Sequence, residues 1–125
     1  MGYKYVLYID DDEEDLEIFF AVTKEFNNEI NFHSFTSASK ALKKIISGEL
    51  LPEIIFIDLN MPGMDGFEFL TEIKKQSDIK IPVVVLSTSS QPSTKQNVEK
   101  LGADGYITKP NSIREFVRLL KPYIG

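Results

Sequence analysis

Polar residues that could bind a metal ion and a phosphate follow four separate apolar runs of the chain. Three consecutive acids at 10–12 follow the run YVLYI, and Asp58 ends the run IIFID. Ser87 and Thr88 follow VVVL, and Lys109 follows GYIT. If these runs are parallel strands of one sheet, their carboxyl ends lie along one edge and the polar side chains converge there.

Carboxylates that lie so close together repel each other and require a positive charge nearby. Lys109 supplies one positive charge, and a divalent cation that prefers oxygen ligands would supply the rest. An aspartate can act as a nucleophile and form an acyl phosphate, while a lysine and a hydroxyl hold the phosphoryl oxygens. The cluster therefore predicts metal-assisted phosphoryl chemistry.

Each of these features has a simpler interpretation when it is taken alone. The acids at 10–12 could cap a helix, and Asp58 could be an ordinary turn residue. The run is not an EF-hand loop, because Asp15 stands at the glycine position and Ala21 at the final glutamate position. His33 has no metal-binding neighbours in its predicted strand, so we interpret it as a strand or surface histidine. The joint arrangement on one fold favours a functional site.

Strand patterns and helix patterns alternate along the whole chain. Strands are predicted at 5–9, 30–35, 53–58, 81–87 and 105–109, and helices at 14–26, 37–49, 65–76, 92–102 and 112–124. The first, third and fourth strands are continuous apolar runs, which is typical of strands covered by helices on both faces. The pattern predicts an α/β fold, (βα)5, with a doubly wound five-stranded parallel sheet in the order 2-1-3-4-5.

The apolar spacing also predicts which helix residues are buried. The first helix is expected to carry Leu16, Phe19, Phe20 and Thr23 on one face, with Ile18, Val22 and Phe26 beside it. The expected core stripe of the last helix is Ile113, Phe116, Val117 and Leu120. Gly48 is expected to follow the end of the second helix, and Ser112 with Glu115 fits a capping box at the start of the last.

Length and composition indicate a single domain over residues 1–125. The net charge of -5 provides no basic field for binding nucleic acid directly, and the absence of cysteine excludes disulfides and thiolate metal sites. The apolar runs are far shorter than the roughly 20 residues that cross a bilayer. The first residues enter a strand pattern at once, so no signal peptide is expected.

Four segments carry a resemblance to a known family. YIDDDEEDL, IIFIDLNMPGMDG, VVVLSTSS and GYITKP resemble, in order and spacing, the receiver domain of bacterial two-component response regulators, of the chemotaxis-regulator type. The resemblance covers essentially the whole chain and implies a flavodoxin-like fold, so the predicted strand order rests partly on it. It is compatible with a stand-alone regulator and with a segment of a longer one.

The resemblance implies a phospho-accepting switch in the cytoplasm that is not a turnover enzyme. A histidine kinase or a histidine phosphotransfer protein would supply the phosphoryl group. The face formed by the fourth helix, fifth strand and fifth helix would then change and bind a downstream protein or effector domain. A homodimer that forms on phosphorylation is a further expectation, whereas direct contacts with nucleic acid or a membrane are not expected.

The resemblance also assigns roles to individual residues. It implies that Asp58 is the phospho-acceptor, that Lys109 and Ser87 hold the phosphoryl group, and that Ser87 and Tyr106 form the switch. The expected ligands of Mg2+ or Mn2+ are Asp10, Asp11, Asp58 and the backbone carbonyl of Asn60, and the residues expected to tune phosphoryl lifetime are Asn60 and Ser89. The Lys109–Pro110 bond is usually cis in the family, and Asp12 has no role in the pattern beyond capping the first helix.

Two other functions compete with the switch. A phosphohydrolase of the haloacid dehalogenase type would need a second aspartate two residues after the nucleophile, where this chain has Asn60, and a cap domain for which there is no room. A flavin or nucleotide carrier would need a glycine-rich loop after the first strand, where this chain has acids.

Overall fold

Five strands alternate with five helices in the computed structural model, which describes residues 3–26 and 28–124. The strands are β1 (Tyr5–Ile9), β2 (Asn31–Phe35), β3 (Ile54–Asp58), β4 (Val83–Ser87) and β5 (Gly105–Thr108). The helices are α1 (Glu13–Phe26), α2 (Ala38–Ile46), α3 (Gly66–Lys74), α4 (Pro92–Lys100) and α5 (Ile113–Ile124). Residues 1, 2, 27 and 125 of the predicted domain lie outside this description. Within it, no helix is long and apolar enough to cross a membrane.

The strands form one parallel sheet in the order β2-β1-β3-β4-β5, which confirms the predicted fold. Every residue of β3 and β4 is buried, as expected for central strands that helices cover on both faces. The pairing aligns the strand ends, since Ile9 lies opposite Ile57, Asp58 opposite Leu86 and Ser87 opposite Thr108. The polar residues at these ends are therefore held in a fixed register.

The two faces of the sheet bury separate apolar cores. Successive side chains of a strand point to opposite faces. Leu7 and Ile9 of β1 therefore pack with α2, α3 and α4, while Val6 and Tyr8 pack with α1 and α5. Full burial of a large apolar side chain stabilises a fold by roughly 1.5–3 kcal/mol. The two cores thus make the sheet a rigid support for its edge.

Two residues that the helical pattern predicted to be buried are exposed. Phe20 is 45% exposed, because α1 directs Phe19, Val22 and Thr23 toward the sheet instead. The ring of Phe20 lies 5.4 Å from that of Phe32 in β2, measured between centroids. Ile113 is 57% exposed at the first position of α5. Both predictions were wrong, although Phe19 and Thr23 on the same face of α1, and Phe116 and Leu120 in α5, are buried.

The helix ends largely follow the predicted signals. Gly48 adopts a φ of 84°, in the left-handed region that glycine favours, just after α2 ends. The hydroxyl of Ser112 accepts a hydrogen bond from the N–H of Glu115. The Glu115 carboxylate pairs with Arg118, so the structure contains the serine half of the predicted capping box.

Candidate functional site

The polar positions picked out in the sequence meet at the carboxyl edge of the sheet. Asp10 directly follows β1, Asp58 and Ser87 are the last residues of β3 and β4, and Lys109 directly follows β5. Backbone hydrogen bonds continue the sheet past the strand ends. The N–H of Lys109 donates to the carbonyl of Ser87 at 2.7 Å, and the N–H of Asp10 donates to that of Phe35 at 3.0 Å. The sheet itself thus positions the site.

The ammonium group of Lys109 lies at the centre of the site and contacts three carboxylates. Its Nζ lies 3.0 Å from Oδ2 of Asp10, 3.0 Å from Oδ1 of Asp58 and 2.8 Å from Oδ2 of Asp15. An ammonium group has three donor hydrogens, so these three partners can occupy all of them. The sequence predicted that Lys109, Asp10 and Asp58 meet at this edge, whereas the contact with Asp15 was not expected.

Asp10 is completely buried and is surrounded by hydrogen-bond donors. Besides Lys109, its carboxylate accepts from the Tyr8 hydroxyl at 2.5 Å and from the backbone N–H of Asp12 at 3.0 Å. Such partners are what make a buried carboxylate tolerable. Burial, followed by the charge of Asp10, raises the pKa of Tyr8, so its hydroxyl remains a donor.

One carboxylate of the site has a pKa that is raised toward neutral pH. Burial raises the pKa of Asp58 to about 6, while the hydrogen bond from Lys109 and its charge act in the opposite direction. Burial also acts to lower the pKa of Lys109, but hydrogen bonds to Asp15 and Asp58 outweigh it, and the pKa is raised. Above pH 6 the site therefore holds a carboxylate at Asp58 beside a charged lysine.

The donor set of the site fits a magnesium ion. Asp10, Asp11 and Asp58 each offer a carboxylate oxygen, and these oxygens all lie within 4.8 Å of one another. Mg2+ prefers hard oxygen ligands and usually binds through one or two carboxylates and waters. A divalent cation here would also offset the negative charge that Lys109 alone does not balance.

The turn after β3 keeps Asp58 at the open edge. Leu59 is buried, and its carbonyl accepts from the N–H of Gly66, the first residue of α3, at 2.9 Å. A Cβ added at Gly66 would lie 2.8 Å from the Cα of Leu59, so only glycine allows this close approach. Asn60 is exposed at the turn, beside the carboxylates.

A cleft of about 460 Å³ opens above these groups. It is lined by Asp10, Asp11, Asp12, Asp15, Asp58, Asn60, Thr88, Lys109, Pro110 and Asn111. Asn60 lines the cleft, and its roles as a metal ligand and in tuning phosphoryl lifetime stay predictions. Ser87 is fully buried and does not line the cleft, whereas its neighbour Thr88 does.

The backbone of Ser89 connects the two predicted switch residues. Its N–H donates to the hydroxyl of Ser87 at 3.1 Å, and its carbonyl accepts from the Tyr106 hydroxyl at 2.5 Å. The side chain of Ser89 faces α4 instead of the cleft, because its hydroxyl bonds to Thr94 and accepts from the N–H of Gln91. Ser89 thus joins β4, β5 and the start of α4.

Three further observations concern the residues around the site. Oδ1 of Asp12 accepts from the N–H of Glu14 at 2.9 Å, which confirms that Asp12 caps α1. His33 is exposed on β2, with its ring 4.8 Å from that of Tyr5, so it is a strand histidine as predicted. The Lys109–Pro110 bond is trans, contrary to the expectation, and trans is the intrinsically favoured isomer of such bonds.

Comparison with known proteins decides the family. The family model described as the response regulator receiver domain matches residues 6–121. The chain belongs to this family. Receiver domains are phosphorylatable switches of two-component signalling, bind Mg2+ through acidic residues and interact with histidine kinases or phosphotransfer proteins.

Curated relatives extend well beyond the region that this receiver domain matches. The chain is 33% identical over 116 residues to the heme response regulator HssR of Staphylococcus epidermidis, which covers 92% of the chain and 49% of that protein. It is 47% identical over 73 residues to a protein-glutamate methylesterase/protein-glutamine glutaminase of Treponema denticola, covering 57% of the chain and 19% of that protein. The chain thus spans about half, or about a fifth, of these relatives.

Solved receiver structures match the fold over nearly the whole chain. The phosphorylated cyanobacterial phytochrome response regulator RcpA is 26% identical with a TM-score of 0.84, over 97% of this chain and 91% of that one. The chemotaxis protein CheY4 of Vibrio cholerae is also 26% identical, with a TM-score of 0.82, over 98% and 100%.

Proposed function

We propose that Asp58 is the phospho-acceptor of this receiver domain. The observation that carries the proposal is the position of its carboxylate, which lies at the open edge of the sheet, 3.0 Å from the ammonium of Lys109 and beside two further acids. With a pKa of about 6, Asp58 is largely ionised at pH 7.5 and needs no separate base.

The transfer would proceed by direct displacement at phosphorus. An oxygen of Asp58 attacks the phosphorus of a phosphohistidine, an O–P bond forms, and the P–N bond breaks with its electron pair leaving on the imidazole nitrogen. Lys109 would then donate to a phosphoryl oxygen in place of the Asp58 carboxylate. Mg2+ held by Asp10, Asp11, Asp58 and the carbonyl of Asn60 would neutralise charge on the phosphoryl oxygens.

The signal would travel through Ser87, Ser89 and Tyr106. Movement of the Ser87 hydroxyl toward the new phosphoryl group would disturb the hydrogen bond that this hydroxyl accepts from the N–H of Ser89. The carbonyl of Ser89 in turn holds the Tyr106 hydroxyl, so the aromatic ring would respond. This is a two-state equilibrium that the added charge biases.

The output surface would be the face of α4, β5 and α5. A groove on this face is lined in part by Gln91, Lys95, Tyr106 and Leu119, and this position of Tyr106 supports the proposal. We propose that a downstream protein or effector domain binds there. We further propose a cytoplasmic receiver unit over residues 1–125 that a histidine kinase or phosphotransfer protein phosphorylates. A phosphorylation-dependent homodimer stays a prediction.

Incubation with phosphoramidate and Mg2+, followed by intact mass spectrometry, tests the proposal. The wild-type chain should gain one phosphoryl group and release little phosphate afterwards, since the switch is not a turnover enzyme. Asp58→Asn should gain none. Asp104→Asn, which removes a carboxylate at the other end of the sheet, is the matched control and should behave as the wild type.

Two results would overturn this assignment. A phosphoryl group on Asp58→Asn would show that another residue is the acceptor. Steady release of many equivalents of phosphate would favour an aspartyl-phosphate phosphohydrolase, although the amide of Asn60 in the cleft cannot protonate a leaving group.

A further inference from the structure

Asp15 is the one contact of Lys109 that neither the sequence pattern nor the proposed transfer uses. It lies in the first turn of α1, and its Oδ2 is 2.8 Å from Nζ of Lys109. That distance is the shortest of the three that Lys109 makes with carboxylates. The Asp15 side chain is 33% exposed, against 1% for Asp10 and 8% for Asp58. It is therefore the partner that lies nearest the solvent.

Lys109 does not depend on Asp15 for its position. Two buried carboxylates, Asp10 and Asp58, already hold the ammonium from the strand ends, and the Lys109 side chain is itself only 17% exposed. The effect of Asp15 is instead to occupy a donor hydrogen of the lysine and to add a negative charge beside it. Both effects weaken the attraction of Lys109 for an incoming phosphate.

The charge of the whole cleft strengthens this effect. Among the described residues that line it, five are aspartates and one is a lysine. A phospho-donor must bring further negative charge into this cleft. Like charges at this range slow association and raise transition-state energies, most strongly where burial reduces screening.

We propose that Asp15 restrains phosphorylation by occupying a donor hydrogen of Lys109 and by repelling anionic phospho-donors from the cleft. The inference rests on the proposed function, since it concerns the rate at which Asp58 is phosphorylated. It predicts that removal of the Asp15 charge accelerates transfer, and that the gain increases with the negative charge of the donor.

The test compares Asp15→Asn with wild type at saturating Mg2+ and neutral pH, using two small donors. Acetyl phosphate carries two negative charges at this pH, whereas phosphoramidate carries a single net negative charge. Phosphorylation by acetyl phosphate should be faster in Asp15→Asn by about threefold to tenfold, and phosphorylation by phosphoramidate should change less. Asp15→Glu should restore the slow wild-type rate.

Glu14→Gln is the matched control, because it removes the same charge from the same turn of α1. Glu14 is exposed and does not line the cleft, and its side chain makes no hydrogen bond or ion pair with the described residues. Its rates should equal those of wild type with both donors. Thermal unfolding of each variant shows whether it is folded. If Asp15→Asn does not fold, Asp15→Ser takes its place in the test.

A Mg2+ titration without any phospho-donor tests the effect of the Asp15 charge in a second way. The dissociation constant for Mg2+ should rise severalfold in Asp15→Asn and remain unchanged in Glu14→Gln. Equal or slower acetyl phosphate transfer in Asp15→Asn, an equal gain with both donors, or an equal effect of Glu14→Gln would each overturn the inference. A wild-type chain that takes no phosphoryl group from either donor would overturn the proposed function instead, and with it the inference.

Discussion

Acidic residues lie at both ends of the parallel sheet, but their carboxylates have different partners at the two ends. At the amino end, Glu53 accepts from the backbone N–H groups of Lys4 and Tyr5 at 2.6 and 2.8 Å. Asp104 accepts from the N–H of Val83 at 2.8 Å and pairs with an exposed lysine. At the carboxyl end, Asp58 pairs with the ammonium of Lys109 and lies beside other carboxylates.

The direction of the strands explains the difference. Parallel strands present N–H groups at their amino ends and carbonyls at their carboxyl ends, so an acid finds backbone donors mainly at the amino end. Hydrogen bonds from Tyr5 and Lys4 accordingly lower the pKa of Glu53, whereas burial raises that of Asp58 to about 6. An acid at the amino end stabilises the fold, and an acid at the carboxyl end requires a cation and is available for chemistry.

The largest expected effect comes from removing the lysine at the carboxyl end. Lys109→Met should lower the free energy of unfolding by about 3–5 kcal/mol at pH 7.5, because it leaves buried carboxylates without their counter-charge. Lys74→Met removes the lysine that pairs with Asp104 at the amino end and should cost less than about 1 kcal/mol, since that pair is exposed. Urea unfolding measures the free energy of unfolding of both variants. Similar losses in the two would contradict the difference between the two ends of the sheet.

Neutralising an acid should have opposite effects at the two ends. The folded chain binds a proton at Asp58 more tightly than the unfolded chain, so stability falls as pH rises from about 4 to about 6. Without Mg2+, Asp58→Asn should therefore be about 1–3 kcal/mol more stable than wild type at pH 7.5 and equal to it below pH 4.

Glu53→Gln is the matched substitution at the amino end. The pKa of Glu53 is lowered, so its contribution to stability is present above its ordinary pKa and lost as pH falls. The variant should be less stable than wild type at pH 7.5, by an amount that shrinks in acid. Urea unfolding as a function of pH checks both variants, and effects of the same sign would refute the comparison.

A divalent cation should stabilise only the carboxyl end. Mg2+ at ten times its dissociation constant should raise the free energy of unfolding of wild type by about 1.4 kcal/mol. Asp11→Asn, which removes one of the three clustered carboxylates, should reduce the gain at the same Mg2+ concentration, whereas Glu53→Gln should retain it. Thermal unfolding with Mg2+ or a chelator measures this, and full stabilisation of Asp11→Asn would exclude Asp11 as a ligand.

The smallest expected effect is at Asp104. Asp104→Asn keeps an oxygen that can accept from the N–H of Val83 but loses the charge that pairs with Lys74. The loss in the free energy of unfolding should be about 0.5 kcal/mol, because the pair is exposed and the backbone hydrogen bond survives. A loss of several kcal/mol in urea unfolding would show that the amino end also depends on a buried ion pair.

The sequence and its resemblance to receiver domains predicted the strand order, and the sequence predicted which polar residues meet at the carboxyl edge, whereas the roles of those residues stay predictions. Continuous apolar runs identified the covered strands, and the residues that end them fixed what meets at the carboxyl edge. Exposure within a helix was predicted less well, since Phe20 and Ile113 lie where the apolar stripe leaves the sheet.

The contacts that were not predicted depend on three-dimensional geometry that the spacing of residues along the sequence does not reveal. Asp15 resembles any acid in the first turn of a helix, and only the folded structure brings α1 close enough for it to reach Lys109. The direction of the Ser89 side chain depends on how the loop after β4 enters α4, where its hydroxyl meets Thr94. Neither position has a signal in the order of residues along the chain.

Locating the phosphoryl group tests the central claim most directly. The chain is phosphorylated with phosphoramidate and Mg2+, digested, and the modified peptide is identified by tandem mass spectrometry. We expect one acyl phosphate on Asp58 that hydroxylamine removes and that is absent without Mg2+. A phosphoryl group on another residue, or one on Asp58 that forms equally well without Mg2+, would contradict it.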